Sequence, residues 1–225
     1  MVYCRQEDSH SGQIEKSMLT TLSLQIQKQV ETGISILKQG GIVAFPTDTV
    51  YGLGACANLQ SAVERVYQVK ERPRSMAFPL LLAHTSQMDE IAEEVPSAAR
   101  LFARSFLPGA LTMVLRRSEL VSDMVTAGST TVAVRVPAHP VPVALVEGLG
   151  VPIVGTSANL SGQPSALTAD EVNAQFGDKI DLVIDGGRCL SGEESTIVDV
   201  TGEIPVVLRE GAISKEELKR VCEVI

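Results

Sequence analysis

The chain has 225 residues, 44% hydrophobic and 20% charged, which is ordinary for a folded globular protein and enough for one large domain. Nineteen basic against twenty-seven acidic residues leave a formal charge of −8, the opposite of what phosphate neutralisation demands of a nucleic-acid-binding surface. The four cysteines, Cys4, Cys56, Cys189 and Cys222, are too far apart for a zinc site or a disulfide framework and suit a reducing cytoplasm.

Residues 1–17 are polar and aperiodic, without the basic and apolar regions of a signal peptide, and are expected to form a flexible extension ahead of a domain over 18–225. Leu22, Ile26, Val30, Ile34 and Leu37 recur at helical spacing, and Gly40-Gly41 supply a stop. Ser61/Glu64, Thr168/Glu171 and Ser214/Glu217 read as capping boxes that open later helices. Between the helices lie short apolar runs with strand character: 42–45, 80–83, 111–115, 131–136, 152–154, 182–184, 196–200 and 206–208. Some of these are separated by a helix and others only by a short loop. The pattern therefore predicts an α/β fold with one sheet of mixed parallel and antiparallel strands and flanking helices.

"GLGACA" over 52–57 matches the loose dinucleotide fingerprint, but six residues separate it from the preceding apolar run, and Arg72 stands where the ribose-binding acid belongs. There is no P-loop motif. "VKERPRS" places Lys70, Arg72 and Arg74 together where Pro73 must end a helix; this is either favourable charge at a helix C-terminus or a grip for phosphate. "FPTDTVYG", "VGTSANLSG" and "GEESTIVD" each set short hydroxyl residues beside an apolar run, and strand ends are where open α/β sheets bind ligands. Arg135 and Arg209 sit inside strand-like runs, where each must face solvent or find an anion. His10, His84 and His139 stand in no hydrolase context. From the residues alone, the expectation is a phosphate-binding site of Lys/Arg with Ser/Thr/Asn, acting by positioning and charge.

In order, "GGIVAFPTDTVYGLG", Lys70-x-Arg72, "PGALT", "VAVRVP", "GTSANLSG", "STIVD" and "LREG" closely resemble the YrdC-type threonylcarbamoyl-AMP synthases, in their short, single-domain form. The resemblance implies a twisted sheet with a basic concave face, and condensation of L-threonine, bicarbonate and ATP to threonylcarbamoyl-AMP and pyrophosphate. The product serves threonylcarbamoyladenosine formation in tRNA beside the anticodon, through a downstream transferase. Mg²⁺ would accompany ATP, a weak tRNA contact would be possible, and the enzyme would be cytoplasmic, with no membrane association. By the same resemblance, Lys70 and Arg72 would be the catalytic cations on the ATP phosphates. Thr131, Ser157, Asn159, Ser165 and Arg209 would also bind ATP, and Thr47, Arg135 and Ser195 would bind threonine. The competing readings are an RNA-binding protein without small-molecule chemistry and a carbamoyltransferase-type domain of the same fold.

Overall fold

The structure, a computed structural model, describes residues 22–225; the extension expected over 1–17 lies outside them. Among the described residues nine strands form one sheet: β1 (Val43–Phe45), β2 (Gly52–Cys56), β3 (Leu80–Leu81), β4 (Leu111–Arg116), β5 (Thr131–Arg135), β6 (Ile153–Ser157), β7 (Leu182–Val183), β8 (Thr196–Asp199) and β9 (Val206–Arg209). Their order is β7-β1-β2-β6-β3-β5-β4-β8-β9. The pairs β7/β1, β3/β5 and β4/β8 are parallel and the other five antiparallel, the mixed sheet expected from the uneven connections.

Among the same described residues eight α-helices flank it: α1 (Leu24–Lys38), α2 (Gln60–Lys70), α3 (Met88–Ile91), α4 (Ser97–Phe106), α5 (Asp123–Thr126), α6 (Pro140–Leu149), α7 (Ala169–Phe176) and α8 (Lys215–Lys219). Helix α1 forms as its spacing predicts, with Val30 and Leu37 buried and Gly40 at φ +83° just beyond its end. The box at Ser214/Glu217 closes in both directions and Thr168 caps α7, but Ser61 lies inside α2, whose N-cap is Leu59 with no side-chain cap. Glu64 instead pairs with Arg74. A favourable dipeptide spacing there yields to the earlier turn after Cys56.

The main departure from the sequence reading is β2. The stretch that resembled a glycine-rich phosphate loop is a fully buried strand, antiparallel to β1 with Phe45 opposite Gly52. Its glycines are there for a packing reason. A Cβ on Gly52 or Gly54 would fall 2.7 Å or 2.9 Å from the Phe45 ring, so the ring lies flat over the bare backbone of its neighbour. Residues 46–51 thus connect two antiparallel strands and do not lead into a helix.

Because successive side chains in a strand point to opposite faces, each strand serves two environments. Leu80, Leu82, Leu111, Met113, Leu115, Val132, Val134 and Val198 point into the larger apolar core, with α2 and α4. On the other face α1 and α6 pack over Val43, Phe45, Leu81 and Ile153, covering the sheet around β1 and β6. The outward residues of β4, β5 and β8, namely Thr112, Val114, Ala133, Arg135 and Ile197, line a cavity on this second face.

Replacing Gly54 with Ala should cost about 1–3 kcal/mol, because the new methyl meets both the Phe45 ring and, at 3.0 Å, the Val154 carbonyl. The expected result is a lower urea midpoint, part of which Phe45→Leu restores in the double variant.

Candidate active site

The cavity, about 530 Å³, is lined by the connection after β1, the segment after α2, the outward faces of β4, β5 and β8, and the ends of β6 and β9. Its charged lining residues are Arg72, Arg135, Arg209 and Glu194.

Arg135 is brought in at the end of β5, and the anion that its position requires is supplied from within the chain. Its Nη2 donates to Asp48 Oδ1 at 2.7 Å, its Nη1 to Thr49 Oγ1 at 3.0 Å and its Nε to the Gly109 carbonyl at 2.9 Å. The pair is largely buried, with the Arg135 side chain 9% and Asp48 17% exposed. Burial pulls the guanidinium below its ordinary value and Asp48 opposes that pull. Asp48 Oδ1 also accepts from the Ala138 N–H at 3.0 Å, so one carboxylate ties the turn to the chain beyond β5.

That turn is itself closed by hydroxyls. Thr47 Oγ1 donates to the Val50 carbonyl at 2.6 Å, accepts from the Thr49 N–H at 3.1 Å and lies 3.0 Å from Thr49 Oγ1. Tyr51 donates its hydroxyl to the Gly187 carbonyl at 2.8 Å. Burial pushes this phenol up to about 12, which keeps it a neutral donor.

Ser195 is held by Thr112, with hydroxyls 2.8 Å apart, and its carbonyl accepts from Arg209 Nη2 at 2.7 Å. Arg209 also pairs with Glu194, and Glu194 Oε1 accepts from the Ser165 hydroxyl at 2.9 Å. Arg72 is anchored by the Met76 and Ala77 carbonyls and sits 5.1 Å from the centre of the Phe78 ring.

Lys70, the last residue of α2, is only 2% exposed. Its Nζ donates to the Ser157 carbonyl at 2.5 Å, the Asn159 carbonyl at 2.6 Å and Asn159 Oδ1 at 3.3 Å, fixing the chain beyond β6. Burial, with Arg72 nearby, pushes its ammonium down to about 7, and Glu194 partly opposes this.

The structure therefore gathers Thr47, Arg135 and Ser195 around one cavity with Arg72, Ser157 and Arg209. Lys70 and Asn159 lie behind its wall, joined to Ser157, whose hydroxyl donates to Asn159 Oδ1 at 2.6 Å. Ser165 adjoins through Glu194. Thr131, bonded to Ser129, falls outside the lining, one alternation beyond Ala133 on β5. Arg74 turns away to Glu64, and His84 bonds Glu147 at 3.1 Å. Sequence reasoning did not single out Asp48, Thr49, Thr112 and Glu194, although all four stand in the motifs quoted for the other residues. The available signal was the pairing rule for a charge inside a strand, which required a partner for Arg135 without saying which.

A nine-stranded mixed sheet with an arginine- and hydroxyl-lined cavity on one face defines an α/β protein of the open mixed-sheet class. The family model for Sua5, YciO and YrdC, described as telomere recombination, matches residues 35–211, and the chain belongs to that family. It is 40% identical over 206 residues to the threonylcarbamoyl-AMP synthase of Pyrococcus abyssi, covering 89% of this chain and 61% of the relative. A putative threonylcarbamoyl-AMP synthase of Mycobacterium tuberculosis is 35% identical over 89% of this chain and 92% of its own length. Among solved structures, P. abyssi Sua5 complexed with L-threonine superposes with a TM-score of 0.84 at 41% identity, covering 87% of this chain and 58% of that one. The chain thus spans about three-fifths of the length of the P. abyssi relative. Among the described residues no helix is long and apolar enough to cross a membrane.

The depressed value at Lys70 sets a direction for stability. Between about 7 and the ordinary 10.5, the unfolded chain retains a proton that the folded chain has released, so stability rises with pH across that window. Lys70→Met removes this contribution. Urea denaturation at pH 7 and pH 9 should show wild type gaining on the variant at the higher pH.

Proposed function

We propose that the chain is an L-threonylcarbamoyladenylate synthase, which makes threonylcarbamoyl-AMP and pyrophosphate from L-threonine, bicarbonate and ATP. The observation that carries this reading is that Thr47, Arg135 and Ser195 share one cavity with Arg72 and Arg209. One set suits an amino acid and the other a polyphosphate. The 40% identity to the P. abyssi threonylcarbamoyl-AMP synthase supports it.

In this reading the threonine amine captures bicarbonate as a carbamate with loss of water. A carbamate oxygen then attacks the α-phosphorus in line, the bond to the β-phosphate oxygen breaks, and pyrophosphate leaves. Arg135 takes the threonine carboxylate through its fork-shaped guanidinium. Arg72 and Arg209 stabilise the negative charge that spreads over the phosphate oxygens, and Lys70 supports them from behind by holding Ser157 and Asn159. Ser165 reaches the nucleotide beside Glu194, and Thr131 meets it at the outer edge of β5.

Magnesium would accompany ATP and would offset phosphate charge. Among the described residues no cluster of three acidic, His or Cys side chains could cage it, and Glu194 is the carboxylate lining the cavity. Glu194 would be the side chain to meet such an ion, in exchange for its bonds to Arg209 and Ser165. The product would pass to a transferase that modifies tRNA in the cytoplasm.

Pyrophosphate release from ATP and Mg²⁺ should require both L-threonine and bicarbonate, and Arg72→Ala should lower kcat by about 10²-fold while the protein stays folded. Release with neither co-substrate would overturn the reading. RNA binding that collapses as salt rises, without any turnover, would move the protein to another class.

A further inference from the structure

The bonds around Arg135 fix where every proton of its network lies. A guanidinium only donates, so Thr49 Oγ1 accepts from Nη1. A carbonyl only accepts, so the Thr47 hydroxyl proton goes to Val50. The proton shared by the two threonine hydroxyls must then be that of Thr49, donated to Thr47. The result is a one-way chain from Arg135 through Thr49 and Thr47 to the Val50 carbonyl.

Thr47 Oγ1 donates once and accepts twice, from the Thr49 N–H and the Thr49 hydroxyl, so its capacity is full. A ligand meeting Thr47 touches its methyl group or backbone. Thr49 Oγ1 keeps one lone pair. Of the five N–H groups on Arg135, the Gly109 carbonyl, Thr49 and Asp48 take one each, which leaves one on Nη1 and one on Nη2. Both are available to a carboxylate as charge-assisted donors.

We infer that Asp48 and Thr49 are positioning residues for substrate recognition: together they hold the Arg135 guanidinium in place, so that its remaining N–H groups are presented, already ordered, to the α-carboxylate of the amino-acid substrate. Arg135 would otherwise be a flexible side chain that binding has to order. The carboxylate of Asp48 also keeps the guanidinium from meeting the substrate as an unpaired buried charge. This inference rests on the function proposed above.

The test is L-threonine binding by calorimetry, with binding of a non-hydrolysable ATP analogue and thermal melting measured on the same proteins. Thr49→Val preserves shape and removes the hydroxyl, and should weaken threonine binding by about tenfold or more, as losing a bond to a charged group does. Thr49→Ser, which restores the hydroxyl, should return to within about threefold of wild type. Asp48→Asn keeps an acceptor for Arg135 and Ala138 but loses the charge, and should weaken threonine binding several-fold, with the ATP analogue unaffected. In turnover the same variants should raise KM for threonine far more than KM for ATP. If Thr49→Val does not fold, Asp48→Asn decides alone. Wild type that binds threonine while a folded Thr49→Val or Asp48→Asn protein binds it equally well would overturn this inference and leave the proposed function standing. Wild type that binds no threonine would overturn both.

Discussion

The arrangement of the cavity depends on a buried ion pair. Asp48 and Arg135 come from elements more than eighty residues apart in sequence, and their contact draws the turn between β1 and β2 against the end of β5. Breaking a buried pair by removing one partner typically costs about 3–5 kcal/mol, because the other charge is left uncompensated. Neighbouring segments then build on the turn so held. Gly192 donates its N–H to the Thr49 carbonyl, Tyr51 exchanges backbone bonds with Ala158 and Ala166, and its hydroxyl fastens Gly187. The segments that carry Ser157, Ser165 and Ser195 are thus tied to one six-residue connection.

A second buried cation plays the matching part across the cavity. Lys70 ends α2 and places its ammonium among three acceptors from Ser157 and Asn159, so the helix terminus and the end of β6 form one wall. Arg72, two residues on, is then released into the cavity, with its guanidinium beside Phe78. One cation of the pair organises the wall and the other lines the cavity. That division of labour follows from burial, since a lysine 2% exposed must spend its donors on the protein.

Much of this was legible in the sequence. Eight strands and the mixed sheet followed from short apolar runs and uneven connections, and α1 followed from its periodicity. The ninth strand was missed because glycines at 52 and 54 weaken a strand signal and mimic a phosphate loop; only the Phe45 ring lying across them explains their presence. The Ser61 box failed because the turn after Cys56 starts the helix earlier. At the site, the residue types and their motifs were readable, and so was the need of Arg135 for an anion. Its partner was not, since Asp48 and Arg135 meet only when the sheet order places β5 and the β1–β2 turn on the same cavity. Whether a cation lines the cavity or lies behind it, as Arg72 and Lys70 do, is likewise decided by tertiary packing.

The most direct test of the account is a crystal structure of the protein with L-threonine and a non-hydrolysable ATP analogue. It should show the threonine carboxylate within hydrogen-bonding distance of both terminal nitrogens of Arg135, with the Asp48 contact intact and Arg72 and Arg209 facing the phosphates. Threonine bound away from Arg135, or an Arg135 that leaves Asp48 to meet it, would contradict the preformed site described here.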